Sequence, residues 1–418
     1  IESELKDIRE ARSPQIKQGV TVRTNNGESG LSKITDVETP LEISFPVGDD
    51  RMAVRVTPVS LNAGGLDLGD SGYGRFGGFT GAQVEHLVVL PSALRPTATD
   101  AWLNSLPESV GSQKDEGIGL AVAYEMPSLG LKTDIGTSPM GFRETNVVGG
   151  ISLDRAFAEN SNFRYNLNLS RRSMVDSLVS FAGARDARTG VEWGGVTANG
   201  LRAQASYDNQ RFGAYAYTGW HKLVGTNVED NARVELGSGV YWYMVNNENR
   251  RLTGGLSLSG TSYENNQSYF TYGNGGYFSP QTFFSIGLPV SWAQRGTDWS
   301  YQVQTSIGLQ HIEQESAPFY RTSGSQAALE SLAEAYAASG QLITTGFGAQ
   351  NKTGIGYSLG ASGEYRIGDG FFFGGTLGVD NARDYRQFSG GLYLRYLFED
   401  AGGAMALPVS PYRSPYSN

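Results

Sequence analysis

The chain of 418 residues contains no cysteine, which excludes disulfide bridges and thiolate metal sites. Hydrophobic residues make up only 39% of it, and no apolar run approaches the ~20 residues that a membrane-spanning helix requires. A helical membrane protein is therefore excluded. The formal net charge is −9, and no cluster of lysine and arginine stands out against this acidic background, which argues against a nucleic-acid partner.

Glycine and aromatic residues are abundant instead, with 56 glycines, 22 tyrosines and 19 phenylalanines. This excess favours many strands, tight turns and aromatic belts over helices, so the composition predicts an all-β protein. The absence of cysteine also suits a protein exposed to an oxidising periplasm. Acidic residues such as Asp67, Asp70 and Glu85 lack the spacing of a calcium loop. We therefore expect no metal and no cofactor.

A stretch near the C-terminus, residues 391–398, reads as an amphipathic strand that ends on an aromatic residue. Leu392, Leu394, Tyr396 and Phe398 share one face, and the alternate positions share the other. Large aromatics at a strand end are typical of the girdle of a membrane barrel, because these rings sit at the membrane interface. We predict that Tyr396 and Phe398 are the terminal assembly signal of an outer-membrane barrel.

The same alternation recurs along the chain, most clearly in residues 299–310 and 355–367. Alternation and breaks at glycine, asparagine, aspartate and proline give about 16 antiparallel strands, an even number typical of single-chain barrels. Short connections alternate with longer ones at 63–114, 137–144, 174–190, 221–232, 264–280 and 311–351. Because outer-membrane barrels alternate short periplasmic turns with long extracellular loops, we predict a transmembrane β-barrel rather than a β-sandwich.

The two ends of the chain differ from this pattern. Ile1, Leu5 and Ile8 form one helical stripe, so residues 1–17 are predicted to be a helical junction that once docked on a preceding domain. Residues 18–398 form the predicted barrel. Residues 399–418 are rich in glycine and proline and are predicted to be a periplasmic tail, because an even number of strands returns the chain to the periplasmic side.

Alternation also selects the side chains that point into the lumen. A polar lumen wall suits a hydrophilic cargo, although pairing of arginine and glutamate across strands is ordinary wall chemistry and implies no ligand. The predicted polar lumen residues are Arg55, Glu125, Arg164, Asn166, Arg202, Gln204, Arg233, Glu235, Gln302, Gln304, Glu364, Arg366 and Arg395, and the predicted lumen aromatics are Tyr241, Tyr243, Phe372 and Tyr393.

One predicted outer loop contains a helical pattern over residues 327–336. Leu329, Leu332 and Tyr336 fall on one side of this helix, and we assign them as candidate gating residues that cap the pore. Simple packing of the helix on neighbouring loops explains the same pattern.

Enzymatic activity at the barrel rim is an alternative to a channel without catalytic function. The three histidines, His86, His221 and His311, fall in or beside predicted outer loops, and each is a candidate base. No nucleophile motif accompanies them, because Gly254-Gly255-Leu256-Ser257 lacks the spacing of a nucleophile elbow. The sequence therefore favours a channel over an enzyme.

Several motifs in order resemble one known family. They begin with residues 134–142 (DIGTSPMGF) and 147–152 (VVGGIS) and continue with the segments 171–173, 176–178, 193–196, 227–231, 246–251 and 276–281. Together they resemble the C-terminal barrel of bacterial cellulose synthase operon protein C, from about Gly19 to the tail. The resemblance is weakest in the loops 63–114 and 311–350.

The resemblance implies a 16-stranded barrel in the outer membrane of a Gram-negative cell, preceded by periplasmic tetratricopeptide repeats that are missing here. It implies that the barrel exports a β-1,4-glucan, either cellulose or a modified cellulose, with gating by extracellular loops. The implied partners are the inner-membrane cellulose synthase complex, reached through the repeats, the outer-membrane lipids and the barrel-assembly machinery. A general porin or a sugar-uptake channel is the alternative.

Overall fold

The computed structural model describes residues 13–78, 107–159, 161–321, 324–338, 340, 342–381, 386–399 and 402–416. Of the helical junction predicted over residues 1–17, residues 1–12 lie outside the described residues, as does His86, whereas residues 15–17 belong to the first strand of the barrel. Within them the dominant feature is one antiparallel sheet that closes on itself. Sixteen strands form its wall, which confirms the predicted fold class.

The strands follow each other around the wall in chain order, and each pairs with the strand before it. They are β1 (Gln15–Asn25), β2 (Thr35–Glu38 and Leu41–Val47), β3 (Asp50–Asn62), β4 (Lys114–Met126), β5 (Leu131–Thr137), β6 (Val147–Ala156), β7 (Phe163–Ser173), β8 (Glu192–Asp208), β9 (Phe212–Thr226), β10 (Asn231–Asn246), β11 (Arg250–Tyr263), β12 (Thr282–Arg295), β13 (Trp299–Gln314), β14 (Gln350–Gly368), β15 (Phe371–Asp380) and β16 (Gln387–Leu397).

The barrel closes where β1 pairs with β16, from Gln15 opposite Leu397 to Asn25 opposite Gln387. Full antiparallel pairing at this seam leaves no sheet edge, as a strand structure surrounded by lipid requires. Strand β2 is interrupted at Thr39-Pro40, because proline has no N–H to donate. Hydrogen bonds from Thr39 N to Pro58 O and from Gly19 N to Pro40 O continue the ladder across the interruption.

The outward face of the wall is apolar. Leu392 is 59% exposed and Leu394 48%, whereas Tyr393 between them is only 3% exposed. Leucine, isoleucine and valine form this belt in other strands too, for example at Leu236, Ile307 and Leu377. An exposed apolar band of this kind is stable only against lipid.

Aromatic rings pack in pairs on the outward face near the short turns. The pairs are Phe163 with Tyr207, Phe212 with Trp242 and Phe371 with Tyr396, with ring centroids 4.7, 5.6 and 4.4 Å apart. Such a girdle marks the periplasmic interface of an outer-membrane barrel. Tyr396 and Phe398 belong to it, with centroids 4.9 Å apart.

The outer connections contain most of the remaining structure. Their described residues include two α-helices, α1 (Leu178–Ala182) and α2 (Ser325–Ala337), a 3₁₀ helix at Tyr73–Arg75 and short strands at Phe76–Gly77, Ala184–Arg185, Phe270–Thr271, Ala317–Pro318 and Gly346–Phe347. A second 3₁₀ helix, Pro127–Leu129, forms a periplasmic turn. None of the helices among the described residues is long and apolar enough to cross a membrane.

One loop prediction is wrong. Residues 221–232 were expected to form a long outer loop, but β9 continues to Thr226 and β10 begins at Asn231. The strands extend further because Lys222 and Leu223 still pair with Ala232 and Asn231. His221 and, in β13, His311 therefore lie within strands rather than in loops.

Candidate functional site: the lumen and its outer plug

The inner wall is held together by charged pairs that cross between strands. Arg55 Nε donates to Glu42 Oε2 at 3.0 Å, and Lys17 Nζ reaches the other oxygen of this carboxylate at 3.3 Å. On β7, Arg172 makes two hydrogen bonds of 2.5 and 2.6 Å to the carboxylate of Asp134 on β5. These pairs give the wall a polar, charge-balanced surface.

The structure places the predicted lumen residues on the inward face, opposite the lipid-facing positions of their strands. It also brings several of them into contact. Glu364 accepts hydrogen bonds from the Tyr393 hydroxyl at 2.9 Å and from Arg395 Nε at 3.2 Å, and the Arg395 guanidinium lies 4.0 Å from the centroid of the Phe372 ring. Arg366, nearby on β14, donates to the carbonyl of Gly403. These residues form one cluster near the periplasmic end.

The remaining predicted residues lie elsewhere on the wall, in separate small groups. The groups are Arg202, Arg233 and Glu235; Tyr241 and Tyr243 on Asp208; Arg164 with Asp154; Asn166 with Ser152; Glu125 with Lys132; and Gln302 and Gln304 beside the cavity that contains Arg23 and Asp36. Gln204 lies on the inward side of β8, in register with Tyr217. The predicted residues thus form a lining rather than one compact site.

Folded loops fill the outer end of the lumen. We call these loops the plug: residues 174–191 together with 63–78, 107–113, 138–146 and 264–281. Inward-facing residues at the outer ends of the strands, such as Leu61, Leu223 and Tyr263, join the loop residues Phe76 and Phe181 in one buried apolar cluster. Because wall and loop residues share this cluster, the loops lie inside the mouth.

Aromatic packing gives the plug its core. Trp193 is fully buried, and its ring lies 5.1 Å from that of Phe76. Phe181 in α1 packs edge-on against Phe142, with centroids 5.2 Å apart. Ser177 caps the start of this helix: its hydroxyl accepts from Ser180 N in a capping box. Backbone N–H groups of the first turn, which have no partner within the helix, are thus satisfied locally.

A buried ion pair ties separate plug segments together. Arg188 Nε donates to Asp186 Oδ1 at 2.8 Å, and both side chains are 0% exposed. The same guanidinium donates to the carbonyls of Tyr73 and Phe76 at 2.6 and 2.7 Å and lies over the Tyr73 ring. A buried charge is stable only when its hydrogen bonds are satisfied, and those of the Arg188 guanidinium are satisfied.

The plug is also bonded to the wall. Arg23 on β1 donates to the carbonyl of Val175 at 2.7 Å and to Asp36 on β2 at 2.8 Å. Ser177 Oγ donates to the carbonyl of Gly276 at 2.6 Å, which joins two plug loops. These bonds hold residues 174–191 across the mouth.

A buried tyrosine fixes the loop at 264–281. The Tyr277 hydroxyl donates to Gln267 Oε1 and accepts from the Asn231 amide, both at 3.0 Å. Burial raises the pKa of the Tyr277 phenol well above its usual range, so this group stays a neutral hydrogen-bond donor.

The C-terminal segment, residues 402–416, follows the lumen wall from the periplasmic end outward. Arg295 Nη1 donates to the carbonyl of Met405 at 2.8 Å, and Ser300 Oγ donates to that of Ala406 at 2.6 Å. Further along, Tyr412 lies edge-on to Tyr393, with centroids 6.3 Å apart, and the Tyr416 hydroxyl donates to the carbonyl of Thr137 at the outer end of β5. This segment, predicted to be a periplasmic tail, thus begins at the periplasmic end but lies inside the lumen.

Sequence reasoning missed several residues of the lining. Glu42, Lys17 and Asp208 occupy inward positions of strands in which polar and apolar residues alternate less regularly. Assigning every strand position to one of the two faces would have found them. The contribution of Tyr412 and Tyr416 carried no sequence signal, because a proline-rich tail has no periodicity that predicts where it lies.

The candidate gating residues lie outside the plug core. In α2, Leu329 is 2% exposed and Tyr336 36%, and Leu332 is half-buried. A hydrogen bond of 3.0 Å from the Gln326 amide to the carbonyl of Thr345 joins this helix to its own loop.

A closed 16-stranded wall, an apolar belt and a periplasmic aromatic girdle define an outer-membrane β-barrel with a polar lumen. The model of the family "Cellulose synthase operon protein C C-terminus" matches residues 32–399. The chain belongs to this family.

Relatives named cellulose synthase operon protein C agree with this assignment. One from Pseudomonas fluorescens (strain SBW25) is 49% identical over 414 residues, covering 99% of this chain and 29% of the relative. One from Escherichia coli (strain K12) is 30% identical over 409 residues, covering 94% of this chain and 31% of the relative. The chain thus spans about a third of the length of these relatives.

A solved structure titled "Bacterial polysaccharide outer membrane secretin" shares the fold. Its TM-score is 0.52 at 11% sequence identity, and the alignment covers 93% of this chain and 99% of the other. At this identity the likeness concerns the fold alone.

Proposed function

We propose that this barrel is a passive channel through which newly made cellulose, a β-1,4-glucan, leaves the periplasm for the cell exterior. Membership of the cellulose synthase operon protein C family supports the substrate class. The observation that carries the proposal is a closed barrel whose inward face is polar and carries accessible charged groups, as in the Arg164–Asp154 and Arg172–Asp134 contacts. Such a wall offers hydrogen bonds to sugar hydroxyls at many points.

Export requires that the polymer binds weakly at every point along the lumen, because a tight site would hold the chain and stop its movement. The separate small groups on the lumen wall fit this requirement better than one compact site. Driving force then comes from synthesis elsewhere, and we propose that the inner-membrane synthase complex is reached through periplasmic repeats preceding this region.

We further propose that the plug is the gate. Residues 174–191 are hydrogen-bonded to the wall through Arg23 and to a second loop through Ser177. These bonds have to break before a polymer passes. The gating assignment of Leu329, Leu332 and Tyr336 in α2 remains a second proposal, which the contacts of this helix within its own loop support less well.

The alternatives differ in measurable ways. A general porin or sugar-uptake channel has a mouth that stays open, whereas the apolar cluster of the plug favours a resting closed state. A rim hydrolase would depend on His221, which lies 3.2 Å from the Arg233 guanidinium, or on His311, whose Nδ1 lies 2.7 Å from Thr353 Oγ1. Continued polymer export after substitution of both histidines would exclude that activity.

Single-channel current in a planar bilayer tests the proposal. We compare the intact barrel, a variant with residues 177–189 replaced by a short Gly-Ser linker, and a control with α2 (325–337) replaced in the same way. We expect the first and third to stay silent and the second to conduct, with brief blockades by cello-oligosaccharides but not by malto-oligosaccharides added on the periplasmic side. A steady current in the intact barrel that ignores both sugars would favour the general porin.

A further inference from the structure

Arg171 and Arg172 are neighbours on β7, but they face opposite sides of the barrel wall. Arg172 points into the lumen, where it bonds to Asp134. Arg171 shares the outward face of the strand with Leu167 and Leu169, which are exposed to the membrane. A cation on the lipid-facing side of a barrel is costly at the middle of the bilayer and is tolerated only near the headgroups. Channel function alone does not explain why Arg171 lies there.

Neutral oxygen atoms hold the Arg171 guanidinium in place. Its Nε donates to the carbonyl of Val147 at 2.8 Å, Nη1 donates to Asn199 Oδ1 at 2.6 Å, and Nη2 donates to Asn146 Oδ1 at 3.3 Å. Among the residues that the structure describes, no carboxylate forms an ion pair with this group. These bonds use three of the five N–H donors of a guanidinium, so two stay available and the positive charge is uncompensated.

Arg171 belongs to a polar row that crosses three strands on the outward face. It lies opposite Asn199 on β8, and Asn199 lies opposite Lys222 on β9. We call these three residues the outward cationic row. Neighbouring strands are about 4.8 Å apart, so the two cations start from α-carbons about 10 Å apart and their long side chains can reach one group between them. Lys222 forms an exposed ion pair of 2.7 Å with Asp230, so the row has two cations and one carboxylate.

The next outward row toward the periplasm is apolar. Leu169 lies opposite Leu201, and Leu201 lies opposite Trp220. All three side chains are exposed on the outward face, and we call them the apolar row. Because tryptophan is enriched at the interface between membrane and water, Trp220 marks the outer boundary of the belt. The outward cationic row therefore begins where the apolar belt ends.

The distance from the periplasmic girdle agrees with this level. Arg171 lies eight positions along β7 from the girdle residue Phe163, which is about 26 Å along the strand and about 20 Å across the membrane at a tilt near 40°. The apolar band of such barrels is about 25 Å tall. The side chain of Arg171 extends further outward, because its partners Val147 and Asn146 lie at and beyond the outer end of β6. The guanidinium thus lies at the headgroup level of the outer leaflet.

We propose that the outward cationic row binds the phosphate group of an outer-leaflet lipid, whose acyl chains lie on the apolar row. A guanidinium with two available N–H groups and an uncompensated charge fits a phosphate, which accepts such bonds in pairs. Asn199 positions the guanidinium, and Lys222 supplies the second cation. The site faces the membrane, so this inference does not depend on the cargo of the lumen.

The experiment measures lipid binding to the delipidated barrel by native mass spectrometry. The probes are diphosphorylated lipid A and the same lipid A after removal of its phosphates. We expect wild type to bind the phosphorylated form more tightly. Arg171→Gln should weaken this binding by about fivefold, the contribution of one cation near anionic lipid, and leave binding of the dephosphorylated form unchanged. Arg171→Lys keeps the charge but loses the paired bonds, so we expect a smaller loss, about twofold.

Two further variants separate the site from general attraction between charges. Arg155→Gln removes a cation from the outward face at the periplasmic end of β6, where Arg155 lies opposite Tyr165, and should leave lipid A binding unchanged. Asp230→Asn removes the carboxylate beside Lys222 and should strengthen binding of the phosphorylated form by about two- to fivefold. Heat-dependent gel mobility first verifies that each variant has formed a closed barrel.

Equal binding of phosphorylated lipid A to wild type and Arg171→Gln would overturn the site. So would a loss in Arg171→Gln that is the same for the dephosphorylated lipid, because apolar contact alone would then hold the lipid. An equal loss in Arg155→Gln would show attraction without a site. Inorganic phosphate has no acyl chains and should not displace the lipid; full displacement at equal concentration would count against a lipid as the ligand.

Discussion

The ring of Tyr416, near the C-terminus, packs against the ring of Phe181 in the plug helix, with centroids 5.2 Å apart. The segment that enters the lumen from the periplasmic end thus reaches the loops that close the outer end. The Tyr416 hydroxyl also donates a hydrogen bond of 2.8 Å to the Thr137 carbonyl, which holds the ring in place. This contact links the C-terminal segment directly to the plug.

We predict that Tyr416→Ala loosens the plug. Removing the ring pair costs about 1 kcal/mol, which raises the frequency of spontaneous opening severalfold. Single-channel recording of the intact barrel measures this frequency. Tyr416→Phe is the control, because it keeps the ring and loses only the hydrogen bond to Thr137. Equal closure in wild type and Tyr416→Ala would show that the contact does not stabilise the closed state.

Substitution of Arg188 by methionine is expected to unfold residues 174–191 locally without opening the barrel wall. It leaves the Asp186 carboxylate buried and without its cation, a loss of about 3 to 5 kcal/mol. Hydrogen exchange followed by mass spectrometry should show faster exchange in this segment and around Tyr73 and Phe76, which Arg188 also holds, but not in the strands of the wall. Arg143→Met removes the partner of Glu192 from an exposed pair and should cost less than about 1 kcal/mol. Similar exchange in the two variants would contradict the role of the buried pair.

A charge placed on the lipid-facing belt tests the orientation of the strands. Leu377 on β15 is 70% exposed, and Leu377→Arg is expected to destabilise the barrel by about 2 to 4 kcal/mol. Thr376→Arg, one residue earlier, places the same charge in the lumen and should be tolerated far better. Denaturant titration of the two variants in lipid bilayers gives the comparison. A reversed order would mean that the faces of this strand are assigned the wrong way round.

The terminal aromatics are predicted to act in assembly. We expect Phe398→Ala, alone or with Tyr396→Ala, to lower the fraction of barrel that reaches the outer membrane in folded form, while protein that does insert remains closed. The folded fraction on a seminative gel measures this effect. Leu392→Ala removes an outward side chain from the same strand but no terminal ring. Normal assembly of Phe398→Ala would show that the terminal ring is dispensable.

Much of the wall was predictable because one physical rule governs it. A strand between lipid and lumen must alternate apolar and polar side chains, and residues 355–367 follow this pattern. The sequence therefore predicts that Tyr365 faces the lipid and Glu364 the lumen. The seam between β1 and β16 follows from closure alone. Extension of β9 to Thr226 was not predictable, because inward residues at its outer end, such as Leu223, pack into the apolar plug and the strand no longer alternates between polar and apolar residues.

The plug and the pairing of individual residues across strands could not be read from the sequence for a different reason. Asp186 and Arg188 look like ordinary charges in an exposed loop, and only the tertiary fold buries them. Tyr215 and Gly239 are an aromatic residue and a glycine 24 positions apart, a pairing that appears only once the register of β9 and β10 is known.

The C-terminal segment makes the passage through this barrel eccentric. With one side of the lumen taken up by residues 402–416, a polymer that passes through as proposed would run off the barrel axis, between this segment and the opposite wall at β9 and β10. A flat ribbon confined in this way cannot turn freely about its length. Successive glucan chains that follow this path would emerge in one rotational orientation, with the same face toward β9 and β10, so they would reach the cell surface already aligned for packing.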